Sequence, residues 1–271
     1  MQQPMSDDIA ADGPGEAKRG PQGSQTLLRG LDMLDQVVDG PVPLAELSGR
    51  MGLTRSTTHR LANALIDRGF LTFVPREGYQ LGPKLLHLGF LAQAQVDLVQ
   101  IGHPHLEALA ARTEDTVHLG RLDGGRVLYL DKVPGRRRIE ISSRIGDHLP
   151  ITSSALGKAM LLDAPPERWR QQFERDQPDA LDRWPVWAER MAGYARTGYT
   201  LDLEENEDRV RCVAAPIRDA SGAIAAALSV TSIAQYMDDT RMEALGDEVR
   251  DVARAIAADL GWRDTEPRAA R

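Results

Sequence analysis

The sequence predicts an α+β protein in two parts, an N-terminal winged helix-turn-helix joined by a linker helix to an α/β domain built on an antiparallel sheet. Three observations predict it. Between residues 24 and 69, apolar residues recur at three- and four-residue steps, broken only by short glycine-bearing turns. From 70 to 81, two strand-like runs flank Pro75-Arg76-Glu77-Gly78. Beyond residue 116, strand-like runs joined by glycine turns alternate with amphipathic stretches. A chain of 271 residues has room for two cores of this kind.

Residues 1–23 are rich in Gly, Pro, Asp and Gln, bury almost nothing and are expected to form a disordered tail. The first helix follows, with Leu27, Leu28, Leu31, Leu34 and Val38 on its apolar face and Asp39-Gly40-Pro41 at its end. Pro43 opens a second, short helix whose inner stripe is Leu44, Leu47 and Met51, and Gly52 closes it. After Leu53 comes the third, capped by Thr54 and stopped at Gly69. Two helices joined by so tight a turn are the helix-turn-helix signature, and the hairpin after them reads as a wing. The winged unit is thus placed at 24–82. A linker helix at 83–97 begins at Pro83, and its broad apolar face of Leu85, Leu86, Leu88, Leu91 and Ala92 is expected to pack on a second copy or on the next domain.

The third helix is a candidate for reading DNA. At 100° per residue, Thr58, Leu61, Ala62 and Leu65 face inward, and Arg55, Ser56, His59 and Asn63 face out. Arginine suits a guanine edge or a phosphate, asparagine an adenine edge, and the hydroxyls of Thr54, Ser56 and Thr57 phosphate oxygens. A solvated surface helix explains the same residues equally well when the helix is taken alone. Its surroundings favour DNA: the net charge of −7 and pI near 5.4 exclude a wholly basic protein, yet Arg50, Arg55, Arg60, Arg68 and Arg76 face only Asp67 between residues 50 and 76. Arg76 at the wing tip can reach a phosphate or the minor groove, or is simply an exposed turn residue.

The second domain is placed at 98–262, with a polar tail at 263–271. Helical patterns cover 98–112, 153–162, 165–175, 184–197 and 239–260. Strand patterns cover 116–122, 127–133, 139–143, 210–217 and 224–231, with hairpins at Asp123-Gly124-Gly125 and Asp219-Ala220-Ser221-Gly222. His103 and His105 flank Pro104 without further metal-ligating neighbours and mark a kinked helix start rather than a metal site. Ser153-Ser154-Ala155-Leu156-Gly157-Lys158-Ala159 resembles half a phosphate loop but has Thr152 and Ala159 where that loop needs glycine and Ser or Thr. What remains is either an ordinary capped helix or a helix start suited to a carboxylate. Asp202, Glu204 and Glu205 form an acidic stretch without a neighbouring His or Cys to complete a mechanism. Cys212 sits in a strand pattern, and Ser229 and Thr231 point to one face of another, lining a polar pocket or bonding within the core. No dinucleotide fingerprint, zinc signature or nucleophile elbow occurs, so no cofactor and no metal is expected.

The single cysteine excludes a disulfide framework and fits a reducing cytoplasm. Neither a bilayer-crossing apolar run nor an export signal is visible, so the expected location is cytoplasmic, with no membrane partner.

In its order of parts the chain resembles the IclR family of bacterial transcription regulators from about Gln25 to Trp262. The motifs are Leu53-Thr54-Arg55-Ser56-Thr57 with Arg60-Leu61, Gly69-Phe70, Tyr79-Gln80-Leu81-Gly82, Thr116-Val117-His118-Leu119, Ser154-Ala155-Leu156-Gly157-Lys158-Ala159, Gly198-Tyr199 through Glu204-Glu205, and Cys212-Val213-Ala214-Ala215-Pro216. The resemblance implies a GAF-like effector-binding domain, dimers that often pair into tetramers, palindromic operator DNA, and a small organic acid as effector. It implies that the amides of Ala155 and Leu156 hold the acid's carboxylate, with Asp202, Cys212, Ser229 and Thr231 lining the same pocket. Val96-Asp97-Leu98, Val117-His118-Leu119-Gly120 and Ser143-Arg144-Ile145-Gly146 are most similar to the 2-keto-3-deoxygluconate-regulator branch. That makes a sugar acid or its keto-deoxy derivative the leading effector, with Arg144 either pairing with its carboxylate or held in a structural ion pair. Arg209 stands where the family usually has glycine, so the turn before Cys212 is expected to differ.

The expected protein is therefore a DNA-binding regulator of catabolic genes, a repressor rather than an enzyme. Three alternatives stand beside it: a small-acid enzyme using Asp202 or Glu204, the same regulator sensing an aromatic acid, and an interaction module that no longer binds DNA.

Overall fold

The computed structural model describes residues 22–139 and 141–263, and these divide into two compact units at Gln95/Val96. The expectations for the N-terminal tail up to residue 21 and for the tail beyond 263 lie outside the described residues.

The first unit contains α1 (Gln22–Asp35), α2 (Leu44–Met51), α3 (Arg55–Asp67), β1 (Leu71–Val74), β2 (Gly78–Leu81) and α4 (Pro83–Ala94). Its core is Met33, Val37, Val42, Leu47, Ala62, Leu71 and Tyr79. This corrects the expected face of α1: Leu27, Leu28, Leu31 and Val38 are exposed, and Met33 and Val37 are buried instead. The periodicity was real, but two stripes share the helix and the core takes the one nearer its C-terminus. The antiparallel pair β1–β2 places Phe73 opposite Tyr79, and Val42 and Tyr79 exchange two backbone bonds of 2.9 Å that pin the wing to the α1–α2 connection. Only glycine fits at 78, where φ is +122° and a Cβ would lie 2.2 Å from the Val42 carbonyl oxygen. In α4, Leu86, Leu88, Phe90 and Leu91 are all exposed, which leaves an apolar face without cover within its own unit.

The second unit begins with α5 (Leu98–Thr113), capped by Asp97, whose carboxylate accepts from the amides of Val99 and Gln100. It continues through β3 (Thr116–Asp123), β4 (Arg126–Val133), β5 (His148–Leu149), α6 (Ala155–Met160), α7 (Pro166–Asp176), α8 (Trp184–Thr197), β6 (Thr200–Leu203), β7 (Val210–Arg218), β8 (Ile224–Ile233) and α9 (Asp239–Asp259). The sheet order is β5-β4-β3-β8-β7-β6, and each paired neighbour is antiparallel. One face, with Val213, Ala215, Ile217, Leu228 and Val230, is packed under α5 and α9. The opposite face, with Ala214 and Ala227, joins the cluster of α6, α7 and α8 around Phe173, Trp169 and Trp187. This is the period-two alternation of a sheet buried on both sides.

The expected strand at 139–143 is not formed: among the described residues, 134–147 carry no strand, and the edge is the two-residue β5. The alternating residues there are recruited otherwise, since Lys132 Nζ donates to the carbonyls of Ile141 (2.7 Å) and Ser143 (2.8 Å) and takes acceptors that a ladder would use. The expected helix start at His103 and His105 is corrected: α5 already runs from Leu98, with Pro104 inside it, and each histidine meets a carboxylate, His103 with Asp131 at 2.7 Å and His105 with Asp259 at 2.8 Å.

Candidate functional site

Two sites emerge, one on each unit. On the first, Thr54 caps α3 by accepting from the Thr57 amide (3.3 Å), and the helix ends at Asp67 before Gly69, whose φ is +76°. Thr58 and Ala62 are buried, whereas Arg55, Ser56, His59, Arg60 and Asn63 are exposed on the outer face. The guanidinium groups of Arg55 and Arg60 are thus open to solvent, where a phosphate or a base edge could reach them. The hydroxyls are partly engaged, because Thr54 Oγ1 lies 2.9 Å from Thr57 Oγ1 and 3.1 Å from Ser56 Oγ. Arg50 is a structural tie, its guanidinium donating to Gln36 O (2.7 Å) and Glu46 (2.6 Å). At the wing tip Arg76 is exposed and holds φ +73°, a left-handed conformation that turns its side chain outward with the Pro75–Gly78 loop.

On the second unit, strand pairing assembles polar side chains that are far apart in sequence. Directly opposed residues of antiparallel strands share a face, so register defines rows. One row runs Lys132, His118, Ser229, Ala214, Thr200; the next runs Thr116, Thr231, Cys212, Asp202. Both lie on the sheet face that α6 covers. A bulge at Leu119/Gly120 pairs Gly120 with Tyr129 while His118 pairs with Lys132, so Tyr129 and Lys132 both reach this face.

The rows are largely buried, and most of their polar side chains are hydrogen-bonded within the protein. His118 is completely buried; its ring stacks on Tyr129 at 4.5 Å, Nε2 lies 2.7 Å from Ser143 Oγ and Nδ1 lies 3.3 Å from Thr231 Oγ1. Burial first, and the Lys132 charge second, bring its pKa down to about 3, so the imidazole is neutral. Thr231 Oγ1 donates to Cys212 Sγ at 3.3 Å. Burial and the Asp202 charge push the Cys212 thiol up, which disfavours the thiolate a nucleophile needs. Asp202 is buried and accepts from the amides of Glu205 (2.8 Å) and Asn206 (3.4 Å). Its pKa is pushed up to about 6 by burial, opposed by the Lys158 charge. Lys158, buried on α6, pairs with Glu205, whose other oxygen accepts from Arg190 at 3.0 Å. The orphan is Ser229: its hydroxyl is buried with no hydrogen-bond partner.

Above the rows, Ser154 caps α6 through Gly157 N (3.2 Å), and the first-turn amides of Ala155 and Leu156 have no acceptor within the helix. Thr200 Oγ1 donates to Ala155 O (2.7 Å), which fixes α6 over β6. Gly157 allows this seat, because a Cβ there would stand 2.2 Å from Ile151 O.

Thus Asp202, Cys212, Ser229 and Thr231 share the sheet face that α6, with Ala155 and Leu156, covers. Arg144 stands apart on an exposed turn, where its amide donates to Asp147 (2.9 Å). The acidic stretch is not a solvated loop: Asp202 ends inside the sheet, and Glu204, at φ +67°, meets Arg211 at 3.0 Å. Arg209 keeps the turn expected of glycine, holding φ +62° and accepting from Ala234 N at 2.7 Å. Sequence reasoning missed His118, Tyr129, Lys132 and Lys158. The Thr116/His118 alternation signals one face, but only the register shows that this face is the polar one.

Residues 91–258 match the family model of the bacterial transcriptional regulator IclR C-terminal domain, and residues 26–75 match the IclR helix-turn-helix domain. The chain is 31% identical over 258 residues to the DNA-binding transcriptional repressor YiaJ of Escherichia coli, covering 91% of this chain and 92% of that one. It is 28% identical over 232 residues to the transcriptional regulator KdgR of the same organism, covering 82% and 87%. The crystal structure of the Agobacterium tumefaciens repressor BlcR superposes with a TM-score of 0.73 at 25% identity, covering 89% of this chain and 98% of that one. No helix among the described residues is long and apolar enough to cross a membrane. With both halves matched in order, and with regulators rather than enzymes as its relatives, the chain belongs to the IclR family of DNA-binding bacterial transcription regulators.

Proposed function

We propose that this regulator is a repressor of catabolic genes, released or retained at a palindromic operator by a small organic acid bound in its second unit, with a sugar acid as the leading class. The observation that carries the reading is the buried Ser229 hydroxyl, unbonded in a row of otherwise satisfied polar groups, which calls for a polar ligand. The amides of Ala155 and Leu156 would take the carboxylate, and Asp202, Cys212 and Thr231 would flank it. The hydroxyl-rich floor, with Tyr129 already stacked on His118, favours a hydroxylated acid over an aromatic one. Repression is supported by the relatives YiaJ and BlcR, both of which are repressors.

Contacts to DNA would come from Thr54, Arg55, Ser56, Thr57, His59, Arg60, Asn63 and Arg76. The uncovered faces of α1 and α4 suit a second copy of the chain, as a palindromic site requires. The linker would comprise 83–97 and the effector domain 98–262, in a cytoplasmic protein. The test is a titration of the chain against its own upstream DNA, repeated with sugar acids and aromatic acids. Tight, salt-sensitive binding altered by a sugar acid supports the reading. Binding that only an aromatic acid alters replaces the effector class, and binding that no acid alters removes the sensor.

A further inference from the structure

The inference rests on the reading that the polar rows hold a small acid, and it concerns what reads the rest of that acid. We propose that His118 Nε2, as acceptor, and the Ser229 hydroxyl, as donor, form a hydroxyl-reading subsite, so that His118 determines specificity and the effector carries a hydroxyl beyond its carboxylate.

The subsite takes one assignment of the protons along this chain of contacts. Thr231 has one hydroxyl proton, and in this assignment it goes to Cys212 Sγ. Towards His118 Nδ1, 3.3 Å away, the Thr231 oxygen must therefore accept, so Nδ1 carries the ring proton. Nε2 is then an acceptor, and Ser143 Oγ at 2.7 Å donates to it. The ring cannot turn to change these roles, being completely buried and stacked on Tyr129. Its neutrality is secured by the same burial and by the Lys132 charge.

Ser143 is a replaceable partner. Its backbone is anchored independently, because Lys132 Nζ holds the carbonyls of Ile141 and Ser143, so its hydroxyl can rotate away while the segment stays in place. Ser229 is the Cα partner of His118 across β3 and β8, which puts the two side chains side by side on one face. A groove of about 290 Å³, whose lining includes Thr116 and Thr231 of the second row beside Asp115, Arg137 and Ser232, opens next to these rows. A ligand hydroxyl between His118 and Ser229 would donate to Nε2 and accept from Ser229, satisfying the orphan. A keto oxygen could only accept, and an alkyl or ring carbon could do neither.

The test is calorimetric titration of the full chain with two matched pairs, D-glycerate against propionate and D-gluconate against hexanoate. The wild type is expected to prefer the hydroxylated member of at least one pair by about tenfold or more. His118→Phe is expected to erase that preference while leaving the hydroxyl-free acid within about twofold, and His118→Gln, which keeps a polar group, to restore part of it. Ser143→Ala removes the competitor and is expected to tighten the hydroxylated acid a few fold without affecting its partner, an effect that a merely structural role would not produce. An unchanged preference in a folded His118→Phe or His118→Gln variant, equal loss for both members of a pair, or weaker hydroxylated-acid binding in Ser143→Ala would overturn the subsite. Binding of propionate and of hexanoate each as tight as that of its hydroxylated partner would overturn it as well. Absence of binding by all four acids to the wild type would instead remove the small-acid reading, and the subsite with it.

Discussion

The outer face of α3 and the polar rows beneath α6 are both built from ordinary polar residues, yet they are organised in opposite ways. On α3 the side chains of Arg55, His59, Arg60 and Asn63 stand in water and make few bonds to the protein. In the rows, His118, Asp202, Ser229 and Thr231 are buried, and among these side chains only the Ser229 hydroxyl is left unbonded. An exposed surface keeps its donors available for a large charged partner whose phosphates supply most of the affinity. A buried site must satisfy its own groups first, and whatever it leaves open specifies a small ligand. Changes on α3 should therefore alter binding and spare stability, whereas changes in the rows should alter both.

The largest effect is expected at Lys158. Lys158→Met removes the cation that pairs with Glu205 and opposes the raised pKa of Asp202, and it should destabilise the second unit by about 3–5 kcal/mol in denaturant titrations. A loss below about 1 kcal/mol would mean that the row is not held by this charge.

The next effect is a pH dependence. Asp202 has a folded pKa of about 6 against an ordinary value of 3.8, so the native state holds the proton more tightly. Its contribution is fully present below pH 4 and is lost as pH rises through 6, on the order of 2–3 kcal/mol. His118 acts in the opposite direction: with its pKa lowered to about 3, it costs stability as pH falls below 6.5. Stability curves of Asp202→Asn and His118→Gln, each subtracted from the wild type between pH 4 and 7, should slope in opposite directions. Parallel difference curves would contradict the burial assigned to one of them.

On α3, Arg55→Ala and Arg60→Ala should each weaken operator binding by about 1–3 kcal/mol. Thermal stability should shift by less than about 0.5 kcal/mol, since both side chains are exposed. A variant that loses both properties together would show that the helix face is structural. The smallest effect is expected at Arg209, whose φ of +62° suits glycine. In Arg209→Gly, relief of left-handed strain and the added chain entropy oppose each other, and the net change should remain within about 1 kcal/mol.

The same contrast explains what was legible in the sequence. The inner and outer faces of α3, the Thr54 cap and the wing turn depend on neighbours within a few positions, and the helical period displays them. The family motifs brought Ala155, Leu156, Asp202, Cys212, Ser229 and Thr231 together before any geometry. His118 and Lys132 were hidden because their role depends on a bulge at Leu119/Gly120 and on pairings across more than a hundred residues of chain. The expected strand at 139–143 failed for a related reason, since its carbonyls serve a buried lysine that alternation cannot reveal. In α1 the period was correct and the choice between two apolar stripes was not, because that choice belongs to tertiary packing and, on the present reading, to a second copy of the chain.

Coupling between the two sites is the central claim, and reciprocity tests it most directly. D-gluconate affinity would be measured for the full chain with and without saturating upstream DNA, and DNA affinity with and without saturating D-gluconate. The account predicts that the two ratios are equal and differ from one by about fivefold or more. Tight binding of both ligands with both ratios equal to one would contradict it, leaving a DNA-binding protein and an acid-binding protein in one chain with nothing passing between them.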